Sequence, residues 1–168
     1  MSTQKQGLGF RIGQGLDVHA FCEGDHVTLC GVKIPHSAGL KAYSDGDVAL
    51  HALCDALLGA AALGDIGRHF PPGDTRYKNA DSRVLLRSVM DMLGAKGWLV
   101  NNADLTLVCE EPRIGPFVDR MRANLAADLE LDVGLVSVKA TTTEGLGFCG
   151  RGEGIAAMAV VSLASGNA

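Results

Sequence analysis

The chain has 168 residues, 47% of them apolar and 20% charged, with a net charge of -4 at pH 7; that is the length of one globular domain, enough to bury roughly two thirds of its unfolded surface without disulfides. An acidic balance with no clustered Lys/Arg face excludes nucleic acid as a partner, because such binding is led by phosphate neutralisation. The longest apolar run, residues 155–164 interrupted by Ser162, is half a membrane span, and the opening MSTQKQG has no signal-peptide core, so a cytoplasmic protein without a membrane partner is expected.

Residues 1–9 read as a flexible lead and residues 10–168 as a single domain. FRIGQGLDVHAF has the β-branched and aromatic content of a strand interrupted by glycines, with Val18 expected to face the core. HVTLCGVKIP alternates around Gly31 like a hairpin, and SAGLKAYSDG leads into a helix with Ser44 or Asp45 as its cap. From Asp47 to Leu63 apolar residues recur at helical spacing, while Asp47, His51 and Asp55 follow one another at four-residue steps along another edge. LGDIGRHFPPGDTRYKNA carries Gly and Pro-Pro, is irregular over much of its length, and is a candidate lid. A helix over Ser82 to Lys96 with Asp81 as cap, a strand over Ala103 to Cys109, a helix over Pro116 to Leu129, the strand VSVKAT and a last strand over Gly154 to Leu163 complete the chain. The expected fold is α/β (α+β): one two-layer domain with a mostly parallel or mixed sheet packed on helices. The five cysteines are scattered with no CxxC pair and read as small buried hydrophobes.

Two constellations carry chemistry. In Asp17-Val18-His19 the polar residues stand at i and i+2, on one side of an extended strand, and His51 on the helix offers a third ligand. Three protein ligands leave an open position, the mark of a catalytic metal; the competing reading is an ordinary Asp47/His51 pair on a helix surface. In KATTTEGLGFCGRGEG, residues 139–154, hydroxyls and backbone N–H groups can cradle phosphate, Lys139 and Arg151 add positive charge, and Glu144 suits magnesium or manganese. The alternative is a long β connection whose glycines serve turns. Asp65 either holds substrate hydroxyls or caps a turn, and Pro112 and Arg113 lie before a helix start suited to an anion or base.

Taken together, RIGQGLDVHAF, SDGDVALHALCDALLGAAALGDIG and KATTTEGLGFCGRGEGIA resemble the 2-C-methyl-D-erythritol 2,4-cyclodiphosphate synthase family over about residues 10–164. The resemblance implies a CMP-forming phosphorus–oxygen lyase of the non-mevalonate isoprenoid pathway. Its small-molecule substrate is 4-diphosphocytidyl-2-C-methyl-D-erythritol 2-phosphate, closed into the 2,4-cyclodiphosphate by intramolecular phosphoryl transfer. It places zinc on Asp17, His19 and His51, and magnesium or manganese on Glu144. It assigns Thr142 to phosphate transfer and makes Tyr43 a second catalytic position; Ser44 contacts substrate, Asp65 and Gly67 hold the methylerythritol part, Cys109, Pro112, Arg113 and Gly115 belong to the cytidine-binding stretch, and Ile66, Phe70, Asp74, Thr141, Thr143, Phe148 and Arg151 are further substrate-binding positions. Tyr43 stands where the family usually has a histidine, as do Arg113 for lysine, Gln14 and Leu16 for His and Phe, and FPPGD for FPDTD, so that Pro72 removes one polar contact. The family further implies a homotrimer with active sites between subunits, and an axial cavity near Phe148 and Arg151 able to take an isoprenoid diphosphate.

Overall fold

A computed structural model describes residues 9–166; apart from Gly9, the expected flexible lead over 1–9 lies outside them. In chain order the elements are β1 (Phe10–Cys22), β2 (His26–Leu29), β3 (Val32–Pro35), β4 (Gly39–Leu40), α1 (Val48–Ala60), α2 (Ile66–His69), α3 (Ser82–Gly94), β5 (Trp98–Val108), α4 (Val118–Leu129), β6 (Val136–Thr141), α5 (Gly147–Gly150) and β7 (Gly154–Ser165). The main sheet runs β4-β1-β7-β5-β6, and β2 and β3 form a separate hairpin. The sheet is mixed as expected but not mostly parallel: only β5 and β6 run parallel, joined by a crossover through α4, and every other pairing is antiparallel. Among the described residues no helix is long and apolar enough to cross a membrane.

The helices cover one face of the sheet. Leu50, Leu53 and Leu57 of α1, Leu86, Val89 and Leu93 of α3, and Met121, Leu125 and Leu129 of α4 recur at helical spacing and meet Leu105, Leu107, Val161 and Leu163 in one continuous core. Each such fully buried side chain contributes about 1.5–3 kcal/mol. Arg83 and Arg87 both grip the buried Asp128, tying α3 to α4. The opposite face of the sheet is bare in the single chain. Phe10, Ile12, Leu16 and Val18 of β1 lie on it, 52%, 65%, 57% and 45% exposed, beside Met158 and Val160 of β7. Val18 therefore does not face the core: strand alternation sends Asp17 and His19 toward the helices and Val18 away from them.

Hydrogen bonding corrects a further expectation. The cap of α1 is Asp47, not Ser44 or Asp45, and it is wholly buried. Its carboxylate accepts from the N–H of Leu50, Cys30 and Gly31 at 3.1, 3.0 and 2.7 Å, pinning the tight β2–β3 turn to the helix start. Asp47 and His51 are thus no exposed helix pair, and burial pushes the Asp47 carboxyl up to about 6. The segment offered as a candidate lid is, as expected, not regular throughout: its only regular pieces are α2, capped by Asp65, and a single 3-10 turn over Thr75–Tyr77, capped by Asp74. Of the cysteines, Cys30, Cys54, Cys109 and Cys149 are buried, whereas Cys22 at the end of β1 is exposed.

Candidate functional site

Asp17 and His19 stand near the end of β1 on the side that meets α1. Two and four residues before Asp17 the same side of the strand carries Gly15 and Gly13, and α1 uses the space they leave. A Cβ on Gly15 would sit 2.0 Å from the carbonyl oxygen of Ala52, and one on Gly13 1.9 Å from that of Ala56. The helix backbone therefore lies directly on the strand, which carries His51 to the two β1 side chains.

The three donors converge. Asp17 Oδ2 lies 3.0 Å from His19 Nε2 and 3.2 Å from His51 Nδ1, and the two ring nitrogens are 3.3 Å apart. Ligands bonded at about 2.0–2.1 Å to a tetrahedral ion lie roughly 3.3–3.4 Å from one another, so the group fits a divalent metal with little adjustment. The far ring nitrogens are also engaged, His19 Nδ1 with the carbonyl of Gly46 at 3.1 Å and His51 Nε2 with the hydroxyls of Ser44 and Ser82, both at 3.0 Å. These partners orient the rings and leave the inner nitrogens for an ion. Among the described residues Asp17, His19 and His51 are the one group of this kind. Burial disfavours the Asp17 carboxylate, yet the polar contacts of the His19 and His51 rings and the charge of His19 hold its carboxyl far below the usual range. Burial likewise opposes the His19 cation, but the bond to Asp17 and its charge raise the imidazole above its ordinary value.

The group opens into a cleft of about 280 Å³ lined by Tyr43, Ser44, Ile66, Gly67 and Phe70, together with Pro72, Tyr77 and Leu85. Two acids expected there point elsewhere. Asp65 receives the Arg68 N–H at 2.9 Å, and Asp74 is committed to the Arg76 guanidinium at 2.7 Å. Neither lines the cleft.

A second cleft, of about 400 Å³, gathers Cys109, Pro112, Arg113, Gly115, Thr141 and Thr142 at the ends of the parallel strands β5 and β6. It is the crevice beyond the carboxyl ends of parallel strands, a usual seat for ligands in such sheets. Burial pushes the Cys109 thiol up to about 11, which makes it wall rather than nucleophile. Beside it Glu144 is exposed, in a left-handed conformation with φ 54°, and accepts the Thr142 hydroxyl at 3.0 Å. Thr143 turns inward and donates its N–H to Glu110 at 2.9 Å, while its hydroxyl lies 2.6 Å from the Leu146 carbonyl and 3.1 Å from Glu110. Lys139 is paired with Asp104 at 2.6 Å and is not available to a ligand phosphate in this arrangement. Arg151 pairs with Glu153 at 2.7 Å and borders a third hollow, while Phe148 is 40% exposed.

Two residues escape a reading of the sequence. Glu110 anchors the 143–145 turn, and the N–H groups it accepts hold its carboxyl below the usual range; its only signal is an acid at the end of the strand that pairs with VSVKAT. Ser82 supports His51 from the first turn of α3, where it looks like a mere helix-start residue.

The two clefts share no lining residue. They open at the same end of the sheet, but β1 and β6 are three strand spacings apart, about 14 Å. One copy of the chain therefore presents a metal-ligand half and a separate strand-end half.

The chain is 64% identical over 155 residues to the 2-C-methyl-D-erythritol 2,4-cyclodiphosphate synthase of Methylococcus capsulatus, covering 92% of this chain and 98% of that one. It is 63% identical to the enzyme of that name from Azotobacter vinelandii, over 91% and 98% of the two chains. Its fold matches IspF of Plasmodium falciparum, solved as a CDP complex, with a TM-score of 0.82 and 31% identity over 95% of this chain and 99% of that one. It also matches the bifunctional IspDF of Campylobacter jejuni with a TM-score of 0.90 and 44% identity, 95% of this chain spanning 43% of that longer chain. Residues 10–164 match the YgbB family, and this chain belongs to it.

Proposed function

We infer that this chain is a cyclodiphosphate synthase that converts 4-diphosphocytidyl-2-C-methyl-D-erythritol 2-phosphate to 2-C-methyl-D-erythritol 2,4-cyclodiphosphate and CMP. The observation that carries the reading is the pairing of an Asp-His-His metal group with a Thr-Thr-Thr-Glu turn at one end of one sheet, in a chain 64% identical to a synthase of that name.

In this reaction an oxygen of the substrate's own 2-phosphate bonds to the β-phosphorus, and the bond from that phosphorus to the bridging oxygen breaks, CMP leaving with the electron pair. A phosphate already ionised at neutral pH needs no base or protein nucleophile to make it reactive. The chain has to bring two repelling phosphates together and orient them. Asp17, His19 and His51 would hold zinc, and Glu144 magnesium or manganese, because one carboxylate plus phosphate oxygens and water suits those ions. When bound, these cations would supply positive charge to offset that of the two phosphates. Thr142 donates its hydroxyl to a phosphate oxygen, and the Ser44 hydroxyl and Tyr43 phenol serve the phosphate beside the triad; the phenol keeps a donor where the family has an imidazole. Ile66, Gly67 and Phe70 bound the methylerythritol part, with Asp65 and Asp74 reaching it only if they leave their present partners. Cys109, Pro112, Arg113, Gly115 and Thr141 enclose the cytidine.

The two halves meet when copies assemble, and the bare apolar face formed by β1 and β7 supports a homotrimer in which one copy's triad faces its neighbour's cytidine cleft. In such an assembly Phe148 and Arg151 would border an axial cavity able to admit an isoprenoid diphosphate. Cytoplasmic residence suits an enzyme acting on a charged, water-soluble nucleotide substrate.

Purified protein is incubated with the substrate, zinc and magnesium, and the products are followed by phosphorus NMR and mass spectrometry. Two coupled ring phosphates and CMP are expected. A linear monophosphate pair formed by water attack overturns the cyclisation, and no CMP release at all overturns the enzymatic reading.

A further inference from the structure

Ser82 is wholly buried, and its hydroxyl has three polar neighbours: Asp45 Oδ1 at 2.6 Å, His51 Nε2 at 3.0 Å and Ser44 Oγ at 3.5 Å. One hydroxyl has one proton to give. The 2.6 Å contact is in the range of a charge-assisted O–H to carboxylate bond, so that proton goes to Asp45. Asp45 is itself held, because its other oxygen accepts the Ser82 N–H at 3.0 Å and its Oδ1 accepts the Asp47 N–H at 3.2 Å. With its proton spent, Ser82 Oγ meets His51 only as an acceptor, and the ring must carry its proton on Nε2.

We propose that Ser82, locked by Asp45, is a positioning residue that fixes the tautomer of His51 and aims its Nδ1 lone pair at the metal position. This rests on the assignment of His51 as a metal ligand. The arrangement works against a local competitor: Asp17 Oδ2 lies 3.2 Å from His51 Nδ1 and would accept a proton placed there, which would block the ligand atom. It also acts on the substrate side. Ser44 Oγ is as close to Nε2 as Ser82 Oγ is, at 3.0 Å, but it lines the open cleft. Because Ser82 takes the imidazole proton from the buried side, the Ser44 hydroxyl keeps its own proton for a ligand phosphate. The helix start of α3 thereby contributes to a site built on β1 and α1.

The test needs no turnover. Nitrogen-15 NMR of the histidine rings in the metal-free wild-type protein, at a pH where both are neutral, should show His51 protonated on Nε2; protonation on Nδ1 overturns the proposal whatever the variants do. In Ser82→Ala the Nδ1–H form should become substantial. Its zinc dissociation constant, by competition with a chromophoric chelator, should rise by about 10–100-fold, the usual effect of removing a ligand's supporting partner. Ser82→Thr, which retains the hydroxyl, should stay within about threefold of wild type. Zinc affinity unchanged in a folded Ser82→Ala with an unaltered His51 tautomer overturns the proposal. Loss of all zinc binding together with wild-type Nε2 protonation in the same variant would instead overturn the assignment of how Ser82 acts while leaving the ligand assignment standing.

Discussion

Gly15→Ala isolates the close approach of α1 to β1. The added Cβ would lie 2.0 Å from the Ala52 carbonyl oxygen and 2.8 Å from the Ala56 nitrogen, both helix backbone atoms, and real Cβ contacts fall no shorter than 3.0 Å. Helix and strand must therefore separate by about 1 Å, and no side chain can swing aside to relieve it. Overpacking of this kind costs about 1–3 kcal/mol, which in a domain of this size lowers the melting temperature by several degrees. The larger effect is on the metal site, because Ala52 follows His51. Withdrawing Nδ1 by about 1 Å from donors now 3.2 and 3.3 Å away takes it outside the roughly 2.0–2.1 Å reach of an ion held by Asp17 and His19. Zinc affinity should fall by at least about 100-fold, read by chelator competition beside urea unfolding with and without zinc. Gly59→Ala is the matched control on the same helix: its Cβ meets nothing within 4 Å, and it should stabilise by about 0.5–1 kcal/mol with zinc binding unchanged. A Gly15→Ala protein with wild-type zinc affinity and stability would refute the idea that the glycine sets the ligand geometry.

Asp47→Ala strands three buried N–H groups, of Cys30, Gly31 and Leu50, and should cost about 2–4 kcal/mol in urea unfolding while the ligands themselves are untouched. Zinc affinity should weaken as pH falls, and the decline should begin above the ordinary histidine value near 6.5, because Asp17 raises His19 and a protonated ring cannot bind the ion. The sign reverses for the metal-free protein: protonated His19 stabilises its fold fully below about pH 6.5, and this contribution is lost as pH rises through the raised value, as a pH series of melting curves will show. Glu144→Gln should raise the magnesium concentration needed for half-maximal turnover by about tenfold or more without changing zinc affinity. Mixing inactive His51→Ala with inactive Thr142→Ala, unfolding and refolding them together, should restore about one quarter of wild-type activity if each site takes its triad from one copy and its cytidine cleft from the next; no recovery in mixed trimers would place each site within one copy.

Local signals made much of this fold readable. Asp81 ahead of the apolar stripe Leu85, Leu86, Val89 marks α3, the run VSVKAT marks β6, and the turn around Gly31 joins β2 to β3, each decided by neighbours within a few residues. Asp17, His19 and His51 were open to inference because alternation on a strand puts i and i+2 on one side. What failed needed distant partners. Asp47 reads as a surface residue until the hairpin turn is found lying on it. Val18 reads as core because an apolar residue between two polar ones usually is; here both sides of the sheet are apolar and the helices take the other one. Ser82 could not be found at all without knowing that α3 starts beside His51.

The pairing of β1 with β7 also sets an order of events. Residues 10–20 lie in register with residues 154–164, so the strand that bears Asp17 and His19 gains its full-length partner only when segments about 140 residues apart in the chain come together. Closing a loop of that length is entropically costly and slow compared with forming α1 or the β2–β3 hairpin. Until it closes, β1 has only the two residues of β4 beside it, and its alternation, which keeps the two ligands on the helix side, is not enforced. Ion capture should therefore be among the last steps of folding, and zinc added during refolding should slow unfolding far more than it speeds folding.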